Sequence, residues 1–264
     1  INAMALTFGG ELLDPFDGKE DLEAGVIRFV GDPDARRQED YLRILRMFRF
    51  HGRLGAMTAI DEATAAAVRR NAPGLVRISG ERIWTEVSRI IPGRNGPDTI
   101  ARMDDLGVAD PIHLRVRNVD ALKRAHAHTA NPVALISALV GDIHDLESAV
   151  ARWKWSAKER DLARFLIAHK SKALDLRELK AMVITGTPKS WVVELALMGG
   201  RPDMAKALDS WDAPAFPVKG KDLFAIGIEP GVEMGRMLHS LKARWIASDY
   251  GLSKQELLAG LKTP

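Results

Sequence analysis

The sequence predicts a mainly α-helical protein that opens on a short β-containing segment. From Asp32 onward apolar residues recur at helical spacing, as in Leu42, Leu45, Phe48 and Phe50 set among arginines. Proline and glycine then cut the chain into many short helices, at Pro73-Gly74, at residues 92–97 and at residues 211–219. The β signals are confined to the first 31 residues, and no internal repeat, low-complexity tract or heptad run is present.

In chain order, residues 3–8 alternate loosely, Gly9-Gly10 is a turn signal, and Glu11-Leu12-Leu13 returns as the second arm of a hairpin. Asp14-Pro15-Phe16-Asp17-Gly18 reads as loop, followed by one helical turn over 19–24. Asp32-Pro33 is an N-cap and first-turn pair that opens the helical region. Helices are predicted over 38–54 and 56–70, and then from Ser79, with Glu81 and Glu86 in early turns where negative charge suits the helix dipole. Residues 92–97, Pro-Gly-Arg-Asn-Gly-Pro, read as the clearest linker. Further helices are predicted over 98–106, 118–127, 132–152, 156–170, 175–184, 188–198 and 202–209. After the second break come a helix over 232–247 and a last short helix capped by Ser253.

Composition narrows the chemistry. The 264 residues suffice for one large or two modest domains, and 46% apolar with 28% charged residues reads as globular. A net charge of +3 is too small to argue nucleic-acid binding, so local distribution must carry that case. No cysteine is present, which excludes disulfides, cysteine-ligated zinc and a cysteine nucleophile. No apolar run approaches the length of a membrane span and no signal sequence opens the chain, so a cytoplasmic protein without a membrane partner is expected.

The most informative window is Glu39-Asp40-Tyr41-Leu42-Arg43-Ile44-Leu45-Arg46-Met47-Phe48-Arg49-Phe50. Residues three apart share nearly one helix face, so Asp40 and Arg43 project together and Arg46 and Arg49 continue the ridge. A solvated face laced with local ion pairs has this spacing. So does a base reader: cytosine and adenine each present an exocyclic amine beside an unprotonated ring nitrogen, which match a carboxylate and a guanidinium. Uracil and guanine present the reverse pattern and leave buried groups unpaired. The remaining arginines suit phosphate oxygens. Spacing alone leaves both readings open.

In the tail, Lys219-Gly220-Lys221 and Gly227-Ile-Glu-Pro-Gly231 stand before a helix whose start exposes backbone N–H groups. With Lys219, Lys221, Arg236, Lys242 and Arg244 nearby, that arrangement suits an RNA backbone, or it is a turn that lets two helices pack. His144-Asp145, with His126 and His128, lacks the further ligands of a phosphohydrolase metal site and reads as surface. The acidic pairs Asp104-Asp105 and Asp14/Asp17 read as surface or capping residues. The tryptophans, including Trp153, Trp155 and Trp245, read as core.

The window from Val30 to Phe50 resembles the neck motif of the class II tRNA nucleotidyltransferases (CCA-adding enzymes) and bacterial poly(A) polymerases. Arg77-Ile78-Ser79-Gly80-Glu81-Arg82-Ile83 resembles the family's next motif, which on that resemblance buttresses the helix rather than touching substrate. Asp14-Pro15-Phe16, Gly18 and Asp21-Leu22 resemble the stretch that closes the head, and Asn2-Ala3 the end of a motif contacting the nucleotide. The resemblance implies base selection by Asp40 and Arg43, nucleotide contacts by Arg46 and Arg49, support by Glu39 and a ribose contact at Asn2. It also implies four parts: a β-containing head remnant (1–31), a helical neck (32–92), a helical body (93–210) and an RNA-binding tail (211–264).

On this resemblance the parent activity is addition of CMP and AMP, or AMP alone, to the 3′ end of tRNA or another RNA. ATP and CTP would be the substrates, and Mg bound by a head domain upstream of Ile1 would assist. The catalytic carboxylates would lie there too, so this chain alone is expected to be inactive. A dedicated poly(A) polymerase and a non-catalytic RNA-binding helical module are the rival readings.

Overall fold

The computed structural model describes residues 4–27, 41–54, 59–259 and 261. As the sequence predicts, β structure is sparse among the described residues, but it is not confined to the first 31 residues, because one short strand lies at Ala59–Ile60. β1 (Ala5–Leu6) pairs antiparallel with β2 (Leu12–Leu13), the expected hairpin, and α1 (Gly18–Ala24) comes next. Asp14 caps α1, accepting from the Gly18 and Lys19 N–H groups at 2.8 and 2.7 Å, and these donors hold its carboxyl below the usual range. β3 (Val26–Ile27) pairs in parallel with β4 (Ala59–Ile60). The helix expected from residue 56 therefore starts later, as α3 (Glu62–Asn71), because Asp61 caps it by accepting from Thr64 N–H at 2.8 Å.

The chain divides into two compact units, Ile1–Ser171 with Glu194–Pro202 and Lys172–Val193 with Asp203–Pro264. The first is built on α2 (Leu42–Leu54) and α4 (Gly80–Ile90), which pack along their lengths. Leu45 and Phe48 of α2 and Ile83, Val87 and Ile90 of α4 are fully buried. α5 (Gly96–Asp105) packs on α2, and α6 (Val119–His126) packs on α5. α7 (Pro132–Leu139) is apolar on nearly every side and sits buried between α6 and α9 (Ala157–His169). The α7 end is closed by Lys170, whose Nζ donates to the Ser137 and Val140 carbonyls at 3.1 and 2.6 Å. Burial pushes that ammonium's pKa down.

Two expectations need correction here. The helix predicted over 132–152 is two helices, because Val140 turns extended and Asp142 caps α8 (Ile143–Trp153), accepting from His144 and Asp145 N–H at 2.9 and 3.1 Å. Residues 92–97 are no linker but a tight turn joining α4 to α5. Asn95 N–H donates to the Gly52 carbonyl of α2 at 2.8 Å, and Gly96 and Pro97 are buried. α4 also approaches α8 closely: a Cβ on Gly80 would stand 1.7 Å from the Arg152 carbonyl oxygen, so only glycine fits. Trp84, Trp153 and Trp155 gather beside this crossing with ring centroids 4.8–6.0 Å apart, and Trp153 and Trp155 are core residues as expected.

The second unit holds α10 (Leu176–Ile184), α12 (Pro202–Asp209), α13 (Gly220–Phe224), α14 (Val232–Ala247) and α15 (Lys254–Ala259), while α11 (Lys189–Met198) is divided between the two units. Its small core is Val218, Leu223, Leu241, Trp245 and Leu257.

Candidate functional site

The first unit's site is assembled by α2 and α4. The apolar residues of α2, Leu42, Ile44, Leu45, Met47 and Phe48, are buried, which turns the arginines outward in graded fashion: Arg43 is exposed, Arg46 and Arg49 progressively less so. The start of the helix is pinned by Tyr41. Its ring lies so close to Gly74 that a Cβ there would stand 2.0 Å away, and the Arg77 guanidinium sits 5.8 Å from the ring centroid.

A single buried carboxylate braces the ridge. Arg49 Nη1 donates to Glu86 Oε2 at 2.8 Å and Arg46 Nε stands 3.7 Å from Glu86 Oε1, with the Glu86 side chain only 5% exposed. The buried carboxylate holds Arg49 most firmly, because that guanidinium is itself largely buried and separating the two would leave charges unpaired in low dielectric, while the more exposed Arg46 stands at the outer edge of the brace. Around this brace lies an open cleft of about 320 Å³, bordered by Arg46 and Arg49 from α2 and by Arg82, Thr85 and Arg89 from α4.

Glu86, Arg82 and Arg89 were not singled out as site residues from the sequence. The missed signal is Glu86's place in the stripe Ile83–Glu86–Val87–Ile90. An acid on the buried side of an amphipathic helix needs a cationic partner. The motif resemblance did place α4 as the buttress of α2, and the structure supplies the contact.

Of the other predicted residues, Asn2, Glu39 and Asp40 lie outside the described residues. In the second unit Lys219 and Lys221 stand at the start of α13, where Asp222 accepts from the Lys219 N–H at 2.7 Å and from Lys254 Nζ at 3.0 Å. Those contacts, the backbone one foremost, hold the Asp222 carboxyl low. The α14 start at Gly231 carries no side-chain cap, as a phosphate-accepting helix end requires, and Val232 is exposed. Along α14 the cations do not share one face. At about 100° per residue Arg236 and Arg244 fall on one side and Lys242 is turned roughly 160° from Arg244. Lys242 instead lies 5.6 Å from the Phe216 ring centroid, while Arg236 pairs with Glu233, at 3.4 Å.

The histidine cluster is occupied structurally. Asp145 takes both Nε and Nη2 of Arg117 at 3.0 Å, which lowers its pKa, and His126 Nε2 donates to the Gly93 carbonyl at 2.8 Å. Among the described residues no group of three or more His, Asp or Glu is placed to hold a metal ion.

Known proteins bear on this arrangement. The family model described as "Probable RNA and SrmB-binding site of polymerase A" matches residues 59–116, which include all of α4. The chain is 37% identical over 277 residues to CCA tRNA nucleotidyltransferase 1, mitochondrial, of Danio rerio, and 36% identical over 278 residues to the Homo sapiens protein of that name. Each alignment covers 99% of this chain and 64% of the relative, so the chain spans under two thirds of their length. The fold is that of the Thermotoga maritima CCA-adding enzyme complexed with tRNA-CCA (TM-score 0.68, 19% identity, 99% of this chain and 71% of that one). It is also that of the Bacillus stearothermophilus CCA-adding enzyme in complex with CTP (TM-score 0.71, 21% identity, 94% and 67%). Across nearly its whole length the chain is therefore similar in sequence to CCA tRNA nucleotidyltransferases, and it shares the fold of CCA-adding enzymes.

Proposed function

We propose that this chain is the base-selecting and RNA-binding portion of a template-independent nucleotidyltransferase that adds CMP and AMP to the 3′ end of tRNA. The observation that carries the reading is the Arg46–Glu86–Arg49 brace, which presents α2 as a rigid surface. Rigid placement is what base discrimination requires, since selection rests on leaving the wrong base's polar edge unpaired. In this reading Asp40 accepts from the exocyclic amine and Arg43 donates to the ring nitrogen. Glu39 supports them, Arg46 and Arg49 face the nucleotide, and Asn2 meets the ribose. Lys219, Lys221, Arg236, Lys242 and Arg244 hold the RNA.

The four-part division into head remnant, neck, body and tail belongs to the same proposal. So do ATP and CTP as substrates, supported by the CTP complex of the Bacillus enzyme. Mg2+ also belongs to it, but the described residues do not fit a metal site, so the ion would be held by carboxylates elsewhere. A cytoplasmic location completes the reading. Among the described residues no helix is long and apolar enough to cross a membrane, while the vertebrate relatives are mitochondrial by name.

CCA addition is favoured over adenylation alone because the relatives named above are CCA enzymes. The test offers tRNA lacking its CCA end, with CTP and ATP supplied separately, to the full-length gene product. Incorporation of CMP is expected, and use of ATP alone would move the assignment to poly(A) polymerase. In the same assay Asp40→Ala and Arg43→Ala should blur base choice by at least tenfold, about 1.4 kcal/mol. Unchanged preference in both variants would remove them from the selecting site.

A further inference from the structure

We propose that the cleft between α2 and α4 is a seat for phosphate oxyanions, in which α4 contributes Arg82 and Arg89 as its own pair of cations. The proposal deepens the reading of α2 above and shares Arg46 and Arg49 with it.

The spacing is the first argument. Arg82, Thr85 and Arg89 are three and four residues apart, so they form one face of α4, and all three are exposed where they border the cleft. Thr85 is a wall between the arginines rather than a donor, because its hydroxyl already donates to the Glu81 carbonyl at 2.8 Å. Charge is the second argument. Among the described residues that line the cleft, four are arginines, one is a carboxylate, Glu86, and one, Leu42, is apolar. Clefts that take apolar ligands are lined mostly by apolar and aromatic groups, so this one selects an anion. The planar donor forks select oxyanions in particular.

The third argument is an unmet donor. Arg49 Nε is buried and has no hydrogen-bond partner among the described residues, although Nη1 of the same group is held by Glu86. A buried donor without an acceptor is unfavourable, so a small turn of the Arg49 side chain that brought Nε to a ligand oxygen would be favoured. The volume, about 320 Å³, lies at the small end of ligand sites, roughly 300–1,000 Å³. It suits a short phosphate chain or one or two phosphodiesters. The first source is the triphosphate of a nucleotide, the second an RNA strand.

Calorimetric titration of the 264-residue chain with tripolyphosphate and, separately, with a single-stranded RNA hexamer distinguishes the sources. Arg82→Ala with Arg89→Ala should weaken at least one probe tenfold or more. Arg124→Ala with Arg164→Ala, which removes two exposed cations elsewhere in the same unit, should change neither by more than twofold. Thr85→Glu is the second variant: it places a carboxylate between the two arginines and should block the same probe even if the double variant folds poorly. Loss with tripolyphosphate identifies a nucleotide's phosphates as the occupant, and loss with RNA alone identifies the strand; either supports the seat. Binding of both probes within twofold of the parent chain in the Thr85→Glu variant overturns it. Tripolyphosphate carries no base, so its result is independent of whether Asp40 and Arg43 select one.

Discussion

The α2–α4 cleft and the cation-bearing surface of α13 and α14 are both positive, yet they are built on opposite principles. In the cleft, Arg46 and Arg49 are tied to a carboxylate that is 5% exposed, and α2 is anchored on its other side by buried leucine, isoleucine and phenylalanine. On α14, Arg236 is paired with an exposed acid three residues away, and Lys242 leans on an aromatic ring. Fixed charges discriminate shapes. Loosely held charges follow a phosphate backbone whatever its sequence, because their contribution is counterion release rather than fit. The contrast suggests a division between choosing a nucleotide and holding an RNA.

Removing the anchoring acid at each place breaks the comparison most sharply. Glu86→Ala leaves two guanidiniums facing each other, one of them largely buried, and should lower stability by about 3 kcal/mol. The matching change on α14, Glu233→Ala, should cost less than about 0.5 kcal/mol, since an exposed pair is screened. Denaturant melts of the two variants check this. Equal losses would mean that Glu86 is as dispensable as a surface acid and that the ridge needs no brace.

This difference was only half legible in the sequence. The helical class, the opening hairpin, the long tail helix and the arginine ridge all arise from local signals, because periodicity and turn residues act over a few positions. Glu86 was not legible as a brace. Within α4 alone an early-turn acid is accounted for by the helix dipole, and its partners lie 37 and 40 residues earlier in the chain. Residues 92–97 misled for a related reason. Glycine and proline report backbone geometry, which serves a buried turn against Gly52 as well as an exposed linker. The split at 140–142 falls where the apolar run ends at Val140, and Gly141-Asp142 is its signal, a glycine break followed by an N-cap, which the helical spacing on either side outweighed.

A smaller effect sharpens the account of how α2 is held. His51, on the α5 side of the helix, is buried against Thr99. Thr99 Oγ1 donates to the Asn95 carbonyl at 2.7 Å, so it accepts from His51 Nδ1–H at 2.8 Å. Burial lowers its pKa from 6.5. The Arg102 charge acts in the same direction and Asp98 opposes it. With the folded value depressed, the unfolded chain takes up the proton first. Stability is therefore full above about pH 6.5 and falls as pH drops below it, until the folded ring also protonates. Urea midpoints at pH 7.5, 6.0 and 5.0 should show that fall in the parent chain and a shallower one in His51→Gln. An identical slope in the variant would place the titration elsewhere.

The smallest structural effect, and the one that reaches the other side of the comparison, belongs to Lys219 and Lys221. Both are exposed, and removing them disturbs no core contact, so Lys219→Ala with Lys221→Ala should change stability by less than about 0.5 kcal/mol. Their effect on RNA should appear in the salt dependence. If each neutralises one phosphate, the slope of log affinity against log salt should become shallower by about 1.5 for the pair, and equally for RNAs of different sequence. Fluorescence anisotropy of labelled tRNA across a salt series measures it. A loss that depended on RNA sequence, or an unchanged slope, would show that these lysines are not loose backbone contacts, and the division between a rigid selector and a compliant holder would no longer describe this protein.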